Sequence, residues 1–349
     1  MNRILALLLS FSAVSWADDL NGQIDAQWSL ERQWSDSNAD QAWIPAHDWQ
    51  SDITAQMSVT KSGFGLATTI GENSTSLDEL YYDFATENAE WTVGRKPQEW
   101  AFGYTENALN WIDQDVILLR EQFASFGSWQ SWCYVNEANQ GCATRASGWL
   151  GAADWQVMLG YQEAWRAGLG LQAQLGSGGL TYVELYASER EPERQLATVG
   201  TGVFQIQSGM APQTQVNLGA QWTTRYNLTI QAEMLWLEHG LDQDAWRQVL
   251  QQLLTPQAGL VADAFSQPMG RSQYMVRFAL PWHEFDVENV SLLWPEADNS
   301  LLNQLSVQLK VNSSFSIKTT WQHNVEGNVL RRIGQQDQVR VQFQFIDGL

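Results

Sequence analysis

Between Gln213 and Glu238 apolar and polar residues alternate with a period of two. Val216, Leu218, Ala220 and Trp222 alternate with Gln215, Asn217, Gly219 and Gln221. After a polar break at Arg225-Tyr226-Asn227, Leu228, Ile230, Ala232, Met234 and Trp236 alternate with Thr229, Gln231 and Glu233. Successive side chains of a strand point to opposite faces, so the pattern predicts a hairpin with one apolar face. Each arm is about ten residues long, enough for a tilted strand to cross a bilayer.

The rest of the chain repeats this unit. Ile24 to Leu30, Ile53 to Val59 and Phe64 to Ile70 carry it first, then Leu80 to Phe84, Trp91 with Val93, and Val116 to Phe123. Trp155 to Tyr161, Ala167 to Leu175 and Leu180 to Ala187 continue it, with the tight turn Gly176-Ser177-Gly178-Gly179 between the last two. Tyr274 to Trp282, a less regular Val287 to Trp294, Leu305 to Val311, Phe315 to Trp321 and Val339 to Phe345 complete it. Short and long connections alternate, the asymmetry of an outer-membrane barrel. The expected fold is all-β: a transmembrane antiparallel barrel of roughly 16–18 strands, closed because hydrocarbon tolerates no unpaired sheet edge.

Three stretches break the pattern. Residues from Trp34 to Trp49 read as a long outer loop, and the charged run Glu189 to Arg194 reads as a solvated loop. Asp242 to Leu254 is the one helix, with Trp246, Val249, Leu250 and Leu253 at helical spacing and Asp242 or Asp244 as cap. That helix decorates a long loop at the mouth or acts as a gating plug.

Met1 to Ala17 combines Arg3, an apolar run from Ile4 to Leu9 and small residues before Asp18, the pattern of a signal peptide cleaved after Ala17. The alternative is a short buried helix. Residues 18–349 then form a single barrel domain, in the outer membrane of a Gram-negative bacterium. The formal net charge of −20 argues against nucleic acid as a partner. The 19 tryptophans suit aromatic girdles at the two membrane interfaces; a soluble all-β protein with many core tryptophans is the competing reading. Cys133 and Cys142 frame a short loop and would pair in an oxidising periplasm. No His lies near them to complete a metal site, and no P-loop or dinucleotide fingerprint appears, so no cofactor is expected.

Between Gly94 and Phe123 a Gly-Arg-Lys strand end precedes a Trp, a Gly-Tyr pair, an Asn-containing turn and an aspartate-rich link: Gly94, Arg95, Lys96, Trp100, Gly103, Tyr104, Asn107, Asn110, Asp113 and Asp115. These residues resemble a motif of porin-like outer-membrane proteins related to the alginate-export barrels. The resemblance covers about thirty residues and implies a barrel that passes a solute or polymer. It does not carry over a substrate.

With the apolar parity outward, the lumenal parity carries Arg166, Arg225, Arg271, Arg277, Lys310, Lys318 and Arg340 against Glu233 in the second half. In the first half it carries Asp52, Glu79 and Asp83. A basic wall facing an acidic one would guide a polar, in particular an anionic, solute; the alternative is a set of structural salt-bridge ladders filling the lumen. Two rival functions stay open. A barrel enzyme would need a nucleophile beside one of the four imidazoles, His47, His239, His283 and His323, and no such constellation is recognisable. A scaffold barrel would enclose or dock a periplasmic or outer-membrane partner protein. No residue is assigned a catalytic role.

Overall fold

The computed structural model describes residues 21–34, 50–61, 63–71, 75–87, 89–96, 102–103, 116–124, 127–135, 140–198, 204–244, 246, 270–297, 299–326 and 337–348. Met1 to Ala17, His47, Trp100, Tyr104, Asn107 and Asn110 lie outside them, as does the predicted helix beyond Trp246.

Eighteen strands follow one another. They are β1 (Asn21–Trp34), β2 (Gln50–Lys61), β3 (Phe64–Ile70), β4 (Thr75–Ala85), β5 (Glu90–Arg95), β6 (Val116–Ala124), β7 (Gly127–Val135), β8 (Gln140–Leu150) and β9 (Ala153–Gln162). The second half holds β10 (Ala164–Leu175), β11 (Gly179–Thr198), β12 (Phe204–Thr223), β13 (Thr229–Leu237), β14 (Ser272–Trp282), β15 (Phe285–Trp294), β16 (Ser300–Lys310), β17 (Phe315–Glu326) and β18 (Asp337–Gly348). Each pairs antiparallel with its sequence neighbours, and β1 pairs with both β2 and β18. The sheet is therefore a closed barrel. At a strand spacing of about 4.8 Å and a tilt of about 40°, eighteen strands enclose a backbone cylinder on the order of 35 Å across.

The alternation read from the sequence is the in–out alternation of the wall. In β13 Gln231, Glu233, Leu235 and Leu237 are buried on the inner face, while Ile230 and Ala232 are exposed outside. Exposed aromatic residues form two outward belts. One lies beside the short turns, with Trp129, Trp222 and Trp282 and a ring series in which Tyr82 and Phe84 are 6.1 Å apart and Phe84 and Trp91 6.3 Å. The other lies toward the long connections, where Tyr161 meets Trp165 edge-on at 5.4 Å.

At the end where the chain enters β1 and leaves β18 every connection is two to five residues long; the longest connections, including 96–115 and 238–271, lie at the other end, beside some short ones. Asn227 sits in a short turn with φ 62°, a left-handed conformation that asparagine tolerates well. Cys133 and Cys142 are directly opposed on β7 and β8 and form a disulfide.

Two expectations are corrected here. Glu189 to Arg194 is not a loop: β11 and β12 are twenty-residue strands that stay paired past a bulge between Ser188 and Glu191, with Pro192 opposite Met210. The bulge is what lets a proline-containing, charged segment continue the ladder. Of the predicted helix, only a first turn lies among the described residues, where the N–H of Trp246 donates to the Asp242 carbonyl at 3.0 Å. Trp246 is nevertheless fully buried.

Candidate functional site: the lumenal wall

Register places Gln156, Gly170, Glu184 and Asn217 in one inward row across β9 to β12. Gln156, Glu184 and Asn217 are each 0% exposed, which a strand facing open water would not allow. Phe102, from the connection between β5 and β6, supplies cover. Its backbone N–H donates to Glu184 Oε1, while Asn217 Nδ2 approaches Oε2 at 3.5 Å. Gly170 makes room: a Cβ there would lie 2.8 Å from Gln156 Cγ and 2.9 Å from Phe102 Cε2. An irregular segment inside a barrel needs acceptors for its amides, and Glu184 is one placed at the wall.

One row further down, Tyr182 lies over Gly219, where a Cβ would meet its ring at 2.0 Å. The Tyr182 hydroxyl donates to Glu233 Oε1, and Gln231 Nε2 donates to the same oxygen at 2.9 Å. Arg277 continues the series, with Nη1 donating to Gln231 Oε1 at 3.3 Å and Nε paired with Glu288 Oε1. A connected polar strip thus runs along the inner wall from β11 to β15.

From β15 to β18 the inner face changes sign. Glu288, Ser306, Thr320 and Arg340 share one row, and Asp286, Gln308, Lys318 and Gln342 the next. Each row has an acid at its β15 end and a base at β17 or β18. The middle is hydroxyl and amide, with Ser306 and Thr320 3.1 Å apart. Lys318 is half-buried and Arg340 exposed.

The remaining expected wall residues fall in different places. Arg166 is half-buried on the inner parity of β10. Asp83 accepts from Thr92 at 2.6 Å and pairs with Lys96 at 2.7 Å, and Lys96 lies 4.4 Å above the Tyr81 ring. Glu79 stands opposite buried Ala67. Arg271 is exposed just before β14, at the long-connection rim, and Lys310 ends β16 at the short-turn rim, paired with Asp286 at 2.5 Å. Arg225 is not on the wall. It is exposed in the turn after β12, with Nη2 donating to the Tyr226 hydroxyl at 2.6 Å, because a turn residue has no strand parity to aim it.

Of the motif residues, Gly94 has φ 117°, and a Cβ there would lie 2.2 Å from the Leu80 carbonyl oxygen, so the strand end requires glycine. Arg95 is exposed opposite Leu80 on the outward parity. Gly103 follows Phe102 inside the lumen. Among the described residues no group of three or more His, Cys, Asp and Glu is arranged to hold a metal ion. His283 lies in the turn after Trp282, His239 is exposed past β13, and His323 stacks on Trp321. Sequence reasoning put Asn217 on the polar parity but gave no role to it or to Glu184, Tyr182, Gln156 and Glu288; strand parity carries the signal for their inward position, but not the Phe102 contact that covers Glu184.

No protein-family model and no curated sequence matches the chain. Solved structures do. Pseudomonas aeruginosa OccK11 (OpdR) superposes with a TM-score of 0.59 at 10% identity, covering 95% of this chain and 96% of its own. Pseudomonas aeruginosa OpdO gives 0.56 at 11%, with 95% and 98% covered. Acinetobacter baumannii OccAB3 gives 0.54 at 7%, with 95% and 100% covered. These neighbours are OprD/Occ barrels and not alginate-export barrels, so of the resemblance read from residues 94–123 the porin-like barrel is supported, at the level of the fold. The chain has the fold of the OprD/Occ outer-membrane β-barrels.

Proposed function

We propose that the chain is an outer-membrane channel for hydrated polar solutes, delivered to the membrane by the Met1–Ala17 signal segment. The observation that carries this reading is a closed eighteen-strand wall whose inner parity is largely amide, hydroxyl and charge, with apolar Met158, Leu235, Met275 and Leu302 among them. Barrels of this strand number leave an aqueous lumen. Short turns then face the periplasm and long connections the exterior.

The Lys318 and Arg340 side of the lumen, opposed along its rows by Asp286 and Glu288, is the charge-selecting strip, and anions follow its basic end. In planar bilayers under a salt gradient, Lys318→Gln with Arg340→Gln shifts the reversal potential toward cation selectivity. Absence of conductance in the wild type would sink the channel reading in favour of a scaffold barrel. Unchanged selectivity in the double variant would remove the strip from it.

A further inference from the structure

On the outward face of β15 and β16 the described residues include a hydrogen-bonded carboxamide cluster that lipid does not explain. Outward positions on β15 are Phe285, Val287, Asn289, Ser291 and Leu293; on β16 they are Leu301, Asn303, Leu305, Val307 and Leu309. Asn289 and Asn303 form a reciprocal carboxamide pair, Nδ2 of each donating to Oδ1 of the other at 3.1 and 3.2 Å, and Asn303 Nδ2 also donates to Ser291 Oγ at 2.9 Å. Counting up from Phe285 beside the short turn, Asn289 is four residues and Ser291 six residues along a tilted strand. That puts them about 10 and 15 Å up an apolar band about 25 Å tall, at mid-height. Apolar residues flank the cluster above and below on both strands. No other outward position from β9 to β14, up to the bulge in β11, carries a carboxamide.

We infer that this face is the contact between two copies of the barrel, related by a two-fold axis along the membrane normal. Barrels inserted in one orientation and related by such an axis meet height against height, so a mid-height polar cluster meets itself. Carboxamide and hydroxyl groups suit that encounter. Each Asn oxygen keeps a second lone pair, and Ser291, which accepts from Asn303, still has a proton to donate. A hydrocarbon tail offers neither group a partner, and another protein would need a matching cluster at the same depth. On β14 the cluster is flanked by exposed Val276 and Phe278, and on β17 by His323, which stands opposite Asn303, and by exposed Trp321, on which His323 stacks. The inference rests on the membrane-barrel reading and not on the channel reading, so a silent channel would leave it standing.

The native cysteines are paired with each other, so Ser291→Cys introduces the single free thiol. A short bis-maleimide applied to outer membranes containing the full chain should give a species of twice the barrel mass, several-fold more abundant than from Leu218→Cys on β12. Adding Asn289→Leu and Asn303→Leu should abolish that species while the heat-dependent gel shift of a folded barrel persists; if the pair prevents folding, Asn303→Leu alone replaces it. Equal cross-linking at Ser291 and Leu218 means the face meets lipid and overturns the inference. So does an adduct with a different protein, or a dimer that survives in the leucine variant.

Discussion

Replacing Glu184 tests whether the segment at Phe102 and Gly103 is held in the lumen by the wall. Glu184 is 0% exposed and both its oxygens accept, one from the Phe102 amide and one from Asn217 at 3.5 Å. The longer contact contributes little, so Glu184→Leu chiefly strips the Phe102 N–H of its acceptor. A buried donor left unpaired costs about 1–3 kcal/mol, which changes the ratio of docked to released segment about 5- to 160-fold. Glu184→Gln keeps an acceptor and loses only the charge assistance, so its effect should be about half as large in free energy. Two measurements read this out. Single-channel recording should show added open-level fluctuation, graded Leu over Gln, and amide exchange at Phe102 should accelerate by a factor in the same range. Unchanged exchange at Phe102 in Glu184→Leu, with the barrel still folded, would refute the claim that Glu184 holds the segment.

Two further outcomes follow from the same wall. Gly170→Ala pushes a methyl to 2.9 Å from the Phe102 ring and should release the segment without touching Glu184, at an overpacking cost of about 1–3 kcal/mol; a recording identical to wild type would contradict the packing. Arg277→Gln removes the Arg277–Glu288 ion pair. Both side chains are about a quarter exposed, at 22% and 24%, so solvent screening limits the loss to about 1 kcal/mol, measurable as a lowered urea midpoint of the gel shift.

The fold was legible where the solvent differs on the two faces of a strand, because only there does burial impose a period of two. That is why Val216 to Trp236 could be assigned by eye, and why the Glu189–Arg194 stretch could not. A twenty-residue strand is about 65 Å long, and at a tilt of about 40° it outreaches an apolar band of about 25 Å. Past the band both faces meet water, and a paired strand reads like a loop. Arg225 was misassigned for a related reason, since parity was carried across a turn that does not conserve it. The link from Phe102 to Glu184 spans 82 positions and depends on which wall a loop meets after closure, something local pattern does not encode. Irregularity, by contrast, held information. Val287 to Trp294 read as a poor strand because Asn289 and Ser291 occupy its outward parity, yet it pairs without a break on both sides. A strand that keeps its ladder while breaking its pattern has been given a surface that lipid alone does not require, and such breaks are where a sequence departs from its fold for a reason outside the fold.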